Sequence, residues 1–307
     1  MAIDSMDEAL LEQIAMLHGV PEGSYNIRKN GESVARNSTA DIEIVSKTDK
    51  SGIDIIVKPD VVNKSVHIPV LLTAGDFHDV VYNDFYIGKN ADVTIVAGCG
   101  IHNGTSADSI HDGIHTFHLE EGATVRYIER HVGGGDGAGG KIFYPVTKVY
   151  QKKNSVMVME TTQLGGVTDT LRKTSAALYG NAKLVVKEKL LTDNVERAVS
   201  VFDVKLAGED SSAEIVSRSV ARGHSFQHFK SKLIGKNRCF GHVECDGILV
   251  GDARIRSTPE IDAAHNDASL IHEAAIGKIA GDQLLKLMTL GLSEKEAEDT
   301  IIRGFLE

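Results

Sequence analysis

The chain has 307 residues, 42% of them hydrophobic and 25% charged, with a formal net charge of −10. That is the make-up of a soluble chain able to bury a large core, and its acidity argues against a broad nucleic-acid footprint, which needs clustered Lys and Arg. No run approaches the ~18 apolar residues of a membrane span, and three irregularly spaced cysteines, Cys99, Cys239 and Cys245, do not form a disulfide framework.

The opening Met1–Glu8 stretch lacks the basic and apolar regions of a secretory signal, so a reducing, cytoplasmic setting is expected. Asp4 or Ser5 can cap a first helix whose apolar stripe is Leu10, Leu11, Ile14 and Leu17, with Gly19 as its terminator and Pro21 beyond. From about Ser24 the period shortens to that of strands, as in Ile42–Val45 and Asp54–Val57. A weak repeat follows, in which a Gly or Asn turn leads through a small or polar residue into a β-branched run. Its copies begin at residues 88, 122, 154, 180, 208 and 235. One copy cannot bury its own face, but stacked copies can, so the fold predicted is mainly β, a solenoid rather than a sandwich.

The pattern turns helical again near the end. Asp282 can cap a segment carrying Leu284, Leu285, Leu287, Met288 and Leu290, closed by Gly291. Ser293 and Glu296 form a capping box before Ala297, Ile301, Ile302 and Phe305. This αα-hairpin can serve as a lid over the last coil or as a partner-docking surface. The expected organisation is a helical segment over 1–23, a β-helix core over 24–262 and a helical docking segment over 263–307.

Four features bear on chemistry. The run from Gly133 to Lys141 has the spacing of a phosphate loop, but Ile142 stands where Ser or Thr should meet Mg²⁺, and a strand rather than a helix follows. No nucleotide is expected in this chain. His102, His111, His115 and His118 cluster after Cys99, but their spacing matches no zinc signature; histidines pointing outward from β coils are the simpler expectation. Cys99 lies between Gly98 and Gly100, where little side-chain cover would let a partner reach its sulfur; the plain alternative is a small buried hydrophobe. His272 and Glu273 stand side by side as an imidazole–carboxylate pair suited to iron, or as a surface dyad.

The C-terminal third carries more specific elements. Cys245–Asp252 runs into Ser257-Thr258-Pro259-Glu260-Ile261, then Ile271-His272-Glu273-Ala274, Gly281-Asp282-Gln283-Leu284, Gly291-Leu292-Ser293, Glu296-Ala297 and Gly304-Phe305. This order of elements resembles the SufB/SufD family of the SUF iron–sulfur cluster assembly system. The resemblance is close from about residue 178 to the end, fair around Cys99, and weak or absent in the first 60 residues. It implies a right-handed parallel β-helix flanked by helices, and a scaffold rather than an enzyme. The implied partners are an SufC-type ATPase docking on the C-terminal helices, a second SufB/SufD-type subunit or a second copy, and a sulfur donor, with no nucleic acid and no membrane. The implied cargo is a nascent, transient Fe–S cluster at the interface between scaffold subunits. The short chain implies a reduced member, one serving both scaffold roles.

The resemblance also assigns residues. Ala97-Gly98-Cys99 is similar to the SufB element Glu-Gly-Cys, which makes Cys99 the sulfur-acceptor candidate. His272 and Glu273 match the last two residues of a SufB Glu-His-Glu element, with Ile271 in place of the first. The SufB interface cysteine falls on Arg254, which cannot ligate iron; His265 is a substitute ligand candidate. The docking candidates are Leu284, Leu287, Met288, Leu292, Ile301 and Phe305. The leading expectation is a cluster scaffold. The second is a structural, SufD-like subunit that binds SufC without holding a cluster, favoured by Arg254 and Ile271. A polysaccharide-acting solenoid is the third; it would need paired acidic groups at a defined separation.

Overall fold

The computed structural model describes residues 4–19 and 21–307; the expected reading of Met1–Ile3 lies outside them. The chain opens with α1 (Ser5–Ala15), followed by β1 (Ser24–Lys29), β2 (Glu32–Asn37), β3 (Ile42–Ser46), β4 (Gly52–Val57), β5 (Lys64–Leu72), β6 (Phe77–Ile87) and β7 (Asp92–His102). Next come β8 (Ser109–Leu119), β9 (Thr124–Gly134), β10 (Lys141–Phe143), β11 (Val146–Gln151), β12 (Val156–Leu164), β13 (Asp169–Leu178) and β14 (Lys183–Thr192). The last strands are β15 (Arg197–Leu206), β16 (Ser211–Ala221), β17 (Phe226–Gly235), β18 (Cys239–Leu249), β19 (Arg254–Ala263) and β20 (Ala268–Lys278), before α2 (Gly281–Thr289) and α3 (Glu294–Leu306).

From β4 onward successive strands alternate between two sheets, except that β10 and β11 share one. One sheet runs β2-β1-β5-β7-β9-β12-β14-β16-β18-β20 and the other β19-β17-β15-β13-β10-β8-β6-β4-β3. From β4 to β20 each strand pairs in parallel with the strand one coil away. The result is a parallel β-solenoid of about eight turns. Among the described residues only β1–β2 and β3–β4 pair antiparallel, and these hairpins close the N-terminal end. At the other end β19 and β20 are the outermost strands, and among the described residues nothing pairs with their outer edges.

The predicted repeat is the turn between the two sheets. In six coils a residue there adopts left-handed backbone: Asp60, Asn90, Gly122, Asn154, Asn181 and Asp210, with φ between 55° and 74°. Each donates its N–H to a carbonyl of the next coil, at 2.8–3.1 Å: Lys89, Glu121, Lys153, Gly180, Glu209 and Arg238 in turn. Asn, Asp and Gly recur because they tolerate this conformation, which crowds any other Cβ against the following carbonyl. Replacing Asn181 with valine is therefore expected to cost about 1–2 kcal/mol, with Asn181→Gly close to neutral; paired urea melts would separate the two.

Within each strand alternate residues face the lumen. Most are apolar, including stacked Phe85 and Phe117 with ring centroids 4.2 Å apart. The helices differ from expectation in three details. Asp4 does cap α1, but Met16 at φ 54° ends it, three residues before Gly19. Ala280, not Asp282, is the N-cap of α2, while the Ser293–Glu296 box caps α3 as predicted. The hairpin is not a lid: Ile302 and Leu306 pack on the flank of the solenoid against Val220, leaving the last coil open. Strand structure also runs past residue 262, through β20 to Lys278, so the expected core boundary falls one strand early.

Candidate functional site

Cys99 lies on β7, and its glycine neighbours act opposite to expectation. Gly98 and Gly100 face outward, where α1 presses on the sheet; a Cβ on Gly98 would stand 2.4 Å from the Ile14 carbonyl oxygen. Cys99, on the alternate face, points into the lumen and is 3% exposed. Of the two expectations for Cys99, a reachable sulfur and a small buried residue, the second holds. Burial pushes its pKa well above the usual thiol range, and the Asp79 and Glu129 carboxylates add to the effect.

Cys99 packs in an apolar cluster with Val70, Ile101 and Phe143 on one side, and on the other it borders a polar patch in the lumen. Its partners in register are Val70 on β5 and His131 on β9. A small cavity beside it is bounded by His111, His115, Glu129 and His131. His111 and His115 both face inward, against the expectation of outward histidines, because residues four apart on a strand share a face just as they do on a helix. His118 does point outward, stacked between Tyr86 and Tyr150.

The network is almost fully paired. Arg28 and His111 both bind the Asp79 carboxylate, at 2.8 and 3.2 Å. Burial alone would raise Asp79, but His111 and Arg28 bring it down to about 2. Tyr127 donates to Glu129 at 3.0 Å and lies 2.8 Å from His115 Nδ1. Burial lowers His115 to about 4 against the pull of Glu129. Arg172 bonds Glu129, and its Nη2 lies 3.1 Å from His131 Nδ1. Because guanidinium only donates, Nδ1 accepts and the His131 proton sits on Nε2. Burial would raise Glu129, yet Arg172, His131 and His115 hold it well below the usual carboxylate range.

From Arg172 the polar column continues toward the open end. Its Nε lies 3.9 Å from Glu188, which accepts hydrogen bonds from Ser200 at 2.6 Å and Ser217 at 2.7 Å. Ser217 registers with Cys245 on β18. Burial raises the Cys245 thiol to about 11, with Glu188 and Asp246 adding and a hydrogen bond with Ser257 opposing. Cys99 and Cys245 therefore lie on one buried polar column. Glu129, His131, Arg172 and Glu188 were not singled out from sequence. The signal was present as alternation: in Val125-x-Tyr127-x-Glu129-x-His131 the inward positions turn from apolar to charged partway along one strand.

The iron-ligand candidates lie on the last coil and are not brought together. His272 registers with inward-facing Val243, and its buried Nε2 has no partner among the described residues. Glu273 points to the opposite face, 3.5 Å from His242, as neighbours on a strand must. His265 sits in the β19–β20 turn, where its Nδ1 accepts from the Asp267 N–H; His272 is ~13 Å further along the strand direction. Arg254 is exposed at the start of β19. Among the described residues no three His, Cys, Asp or Glu side chains converge on a metal-ion site. On the helical hairpin, Leu284, Leu287, Leu292, Ile301 and Phe305 are half-buried and Met288 is exposed. Leu285 and Leu290, at 60% and 76% exposed, present more apolar surface than the predicted docking residues.

Known proteins resemble this chain over most of its length. Residues 78–305 match the family model described as the SUF system FeS cluster assembly, SufBD core domain. An iron–sulfur cluster assembly SufBD family protein of Methanothermobacter thermautotrophicus is 28% identical over 221 residues, 71% of this chain and 53% of that protein. One from Archaeoglobus fulgidus is 29% identical over 242 residues, 74% of this chain and 60% of its own length. A third, from Pyrococcus horikoshii, is 26% identical over 306 residues, 96% of this chain and 84% of its own. The chain thus spans little more than half the length of the first of these relatives, while the matched region takes in Cys99, the polar column, the last coil and the hairpin. With a parallel β-solenoid and a family match over most of its length, the chain belongs to the SufBD family of iron–sulfur cluster assembly proteins.

Proposed function

We propose that this protein is a scaffold of a SUF complex that takes up sulfur on Cys99 and builds an iron–sulfur cluster with a second scaffold subunit. The observation that carries this reading is the placement of Cys99 at the head of a buried polar column in an otherwise apolar solenoid. Such a column costs stability unless every charge is paired, and packing alone gives no reason for it. Sulfur uptake is a thiol exchange. The Cys99 thiolate attacks the outer sulfur of a donor persulfide, an S–S bond forms at Sγ, the donor's S–S bond breaks, and the donor cysteine leaves as thiolate. No net redox change occurs, and the Cys99 proton passes to solvent or a base. Since burial favours the protonated thiol, uptake requires local opening near β7 or a thiolate stabilised only when the donor is docked.

The unpaired edges of β19 and β20 are a template for a second subunit, and His272 and Glu273 lie on that edge strand. Ligands drawn from two chains would account for the absence of a three-ligand cluster in the described residues of one. The exposed leucines of the α2–α3 hairpin support SufC docking there. The cytoplasm is the compartment this reading places it in.

Anaerobic co-purification with the cognate SufC, scored for iron and acid-labile sulfide, tests the proposal. A complex carrying both is expected, with sulfide lost in Cys99→Ser and iron lowered in His272→Ala. A stable complex that stays empty after reconstitution would favour a second reading, a SufD-like structural subunit. Arg254 at the interface-cysteine position and the opposed faces of His272 and Glu273 support that reading. No complex at all would remove the docking role.

A further inference from the structure

The outer face of the first sheet carries two helices with a gap between them. α1 packs over β5, β7 and β9, and its close approach depends on Gly98 and Gly100. α3 packs over β16 through Ile302 and Leu306. An apolar row crosses the sheet beneath both. Gly100 registers with Val132 at the α1 side, and Leu164 registers with Leu191, Val220 and Ile248 in turn toward α3. The row is covered at its two ends by the chain's own helices. In the middle it is open, and Leu164 is 55% exposed.

The open part is a cleft of about 670 Å³. Its width can be judged from the sheet. β7 and β16 are separated by four strand steps, through β9, β12 and β14, which is ~19 Å at ~4.8 Å per step. Two successive helix-to-helix spacings of 8–10 Å come to roughly 16–20 Å. The gap is therefore one helix wide and centred on β12. A third helix laid there would touch α1, α3 and the sheet together.

The rim has a definite charge. Arg130, Lys189, Arg222 and Arg303 line the cleft, in a chain whose net charge is −10. Asp299 and Glu307 line it too. Asp299 accepts from Arg222 at 2.6 Å, with Glu298 3.9 Å away, and Lys189 donates to the Glu307 main-chain carbonyl at 2.7 Å, so the Glu307 carboxylate stays on the rim and the four cations still outnumber the acids that line it. The Arg222 Nε is buried with no partner, and the side chains of Arg130 and Arg303 make no hydrogen bond or ion pair among the described residues. Along the strands, Arg130 and Lys189 stand two residues before the row and Arg222 two residues after it, with Arg303 on α3 above. A single-headed anion such as a fatty acid would meet only one side of that rim, in a cleft too open to enclose its tail.

We propose that the cleft receives an acidic amphipathic α-helix of a partner protein, seated between α1 and α3 with leucine-type side chains on Val132, Leu164 and Leu191 and carboxylates on Arg130 and Arg303. This is a helix-in-groove interface, distinct from the solenoid's open end and from the exposed leucines of α2.

The test uses the full chain and a fluorescein-labelled, lactam-stapled 16-residue helix, with leucines at i, i+3, i+4 and i+7 and glutamates flanking them. Anisotropy titration is expected to show saturable binding. The double variant Arg130→Glu/Arg303→Glu should weaken binding at least tenfold with an unchanged melting curve, because neither side chain has a partner to lose. A peptide with lysine in place of glutamate should restore binding to that variant, and Leu164→Asp should abolish it for both peptides. A photo-crosslinker on the peptide's apolar face should attach to β9, β12 or β14. Absence of saturable binding overturns the proposal, as does equal binding by the charge-reversed variant or a crosslink confined to α2. Laurate binding to the wild-type chain with no peptide binding would assign the cleft to a lipid instead.

Discussion

Replacing Arg172 with methionine is expected to destabilise the protein by about 3–5 kcal/mol, the cost of leaving a buried ion pair half broken. Arg172 is the cation between two buried carboxylates: it bonds Glu129, lies 3.9 Å from Glu188, and is itself 4% exposed at the side chain. Removing it strands both carboxylates in the lumen, where they must protonate or draw in water. The Glu129 carboxyl, held low chiefly by Arg172 against the effect of burial, would then rise. Urea unfolding followed by far-UV circular dichroism gives the measurement. Adding Glu129→Gln and Glu188→Gln to Arg172→Met should recover part of the loss, since no buried charge is then left unpaired. A loss below about 1 kcal/mol for Arg172→Met, the range of a surface pair, would mean that these carboxylates are not charged in the folded chain.

Acid should weaken the same region in a predictable window. Burial lowers the His115 imidazole from 6.5 to about 4. Below pH 6.5 the unfolded chain takes up a proton at this residue, whereas the folded chain stays neutral until about pH 4. The stability contributed by His115 is therefore complete above pH 6.5 and falls as pH drops toward 4, by about 3 kcal/mol at ~1.36 kcal/mol per pK unit. His131, also lowered by burial, acts in the same direction. Asp79 enters later: its folded value of about 2, against 3.8, means its contribution is lost only as pH falls from 3.8 toward 2. Unfolding free energies at pH 7.0, 5.5 and 4.5 should fall steadily, and His115→Gln should reduce the slope by one proton's worth. A pH-independent stability between 7 and 5 would show that His115 is already charged or exposed.

Much of the architecture was legible because its signals are local. A left-handed turn asks for Asn, Asp or Gly, and the chain places Asn90, Gly122, Asn154 and Asn181 there at intervals of one coil. The Ser293–Glu296 box names its own helix. Helix ends were less legible: Leu17 continues the apolar stripe, yet the helix stops at Met16, since Leu17 is buried just as well from a non-helical position. The site was legible at single points only. Cys99 was found, but whether it is accessible or buried stayed open, because deciding which face of β7 is the lumen needs the position of α1 more than eighty residues upstream. Glu129, Arg172 and Glu188 come from three coils and meet only when the strands are in register. His272 and Glu273 were paired by adjacency, which on a strand means opposite faces.

The left-handed turns have a kinetic consequence. Each links one coil only to the next, and the two antiparallel hairpins secure one terminus while β19 and β20 leave the other unsecured. Such a stack behaves as a one-dimensional lattice, in which a coil is held by its neighbours and not by the molecule as a whole. Amide exchange should therefore be graded along the axis, fastest in β19 and β20 and slowest in the middle coils around Phe117 and Phe143. Opening would progress as a zipper from the C-terminal end. A second molecule settling on that end would then act as a stopper, slowing the release of coils well beyond the strands it touches.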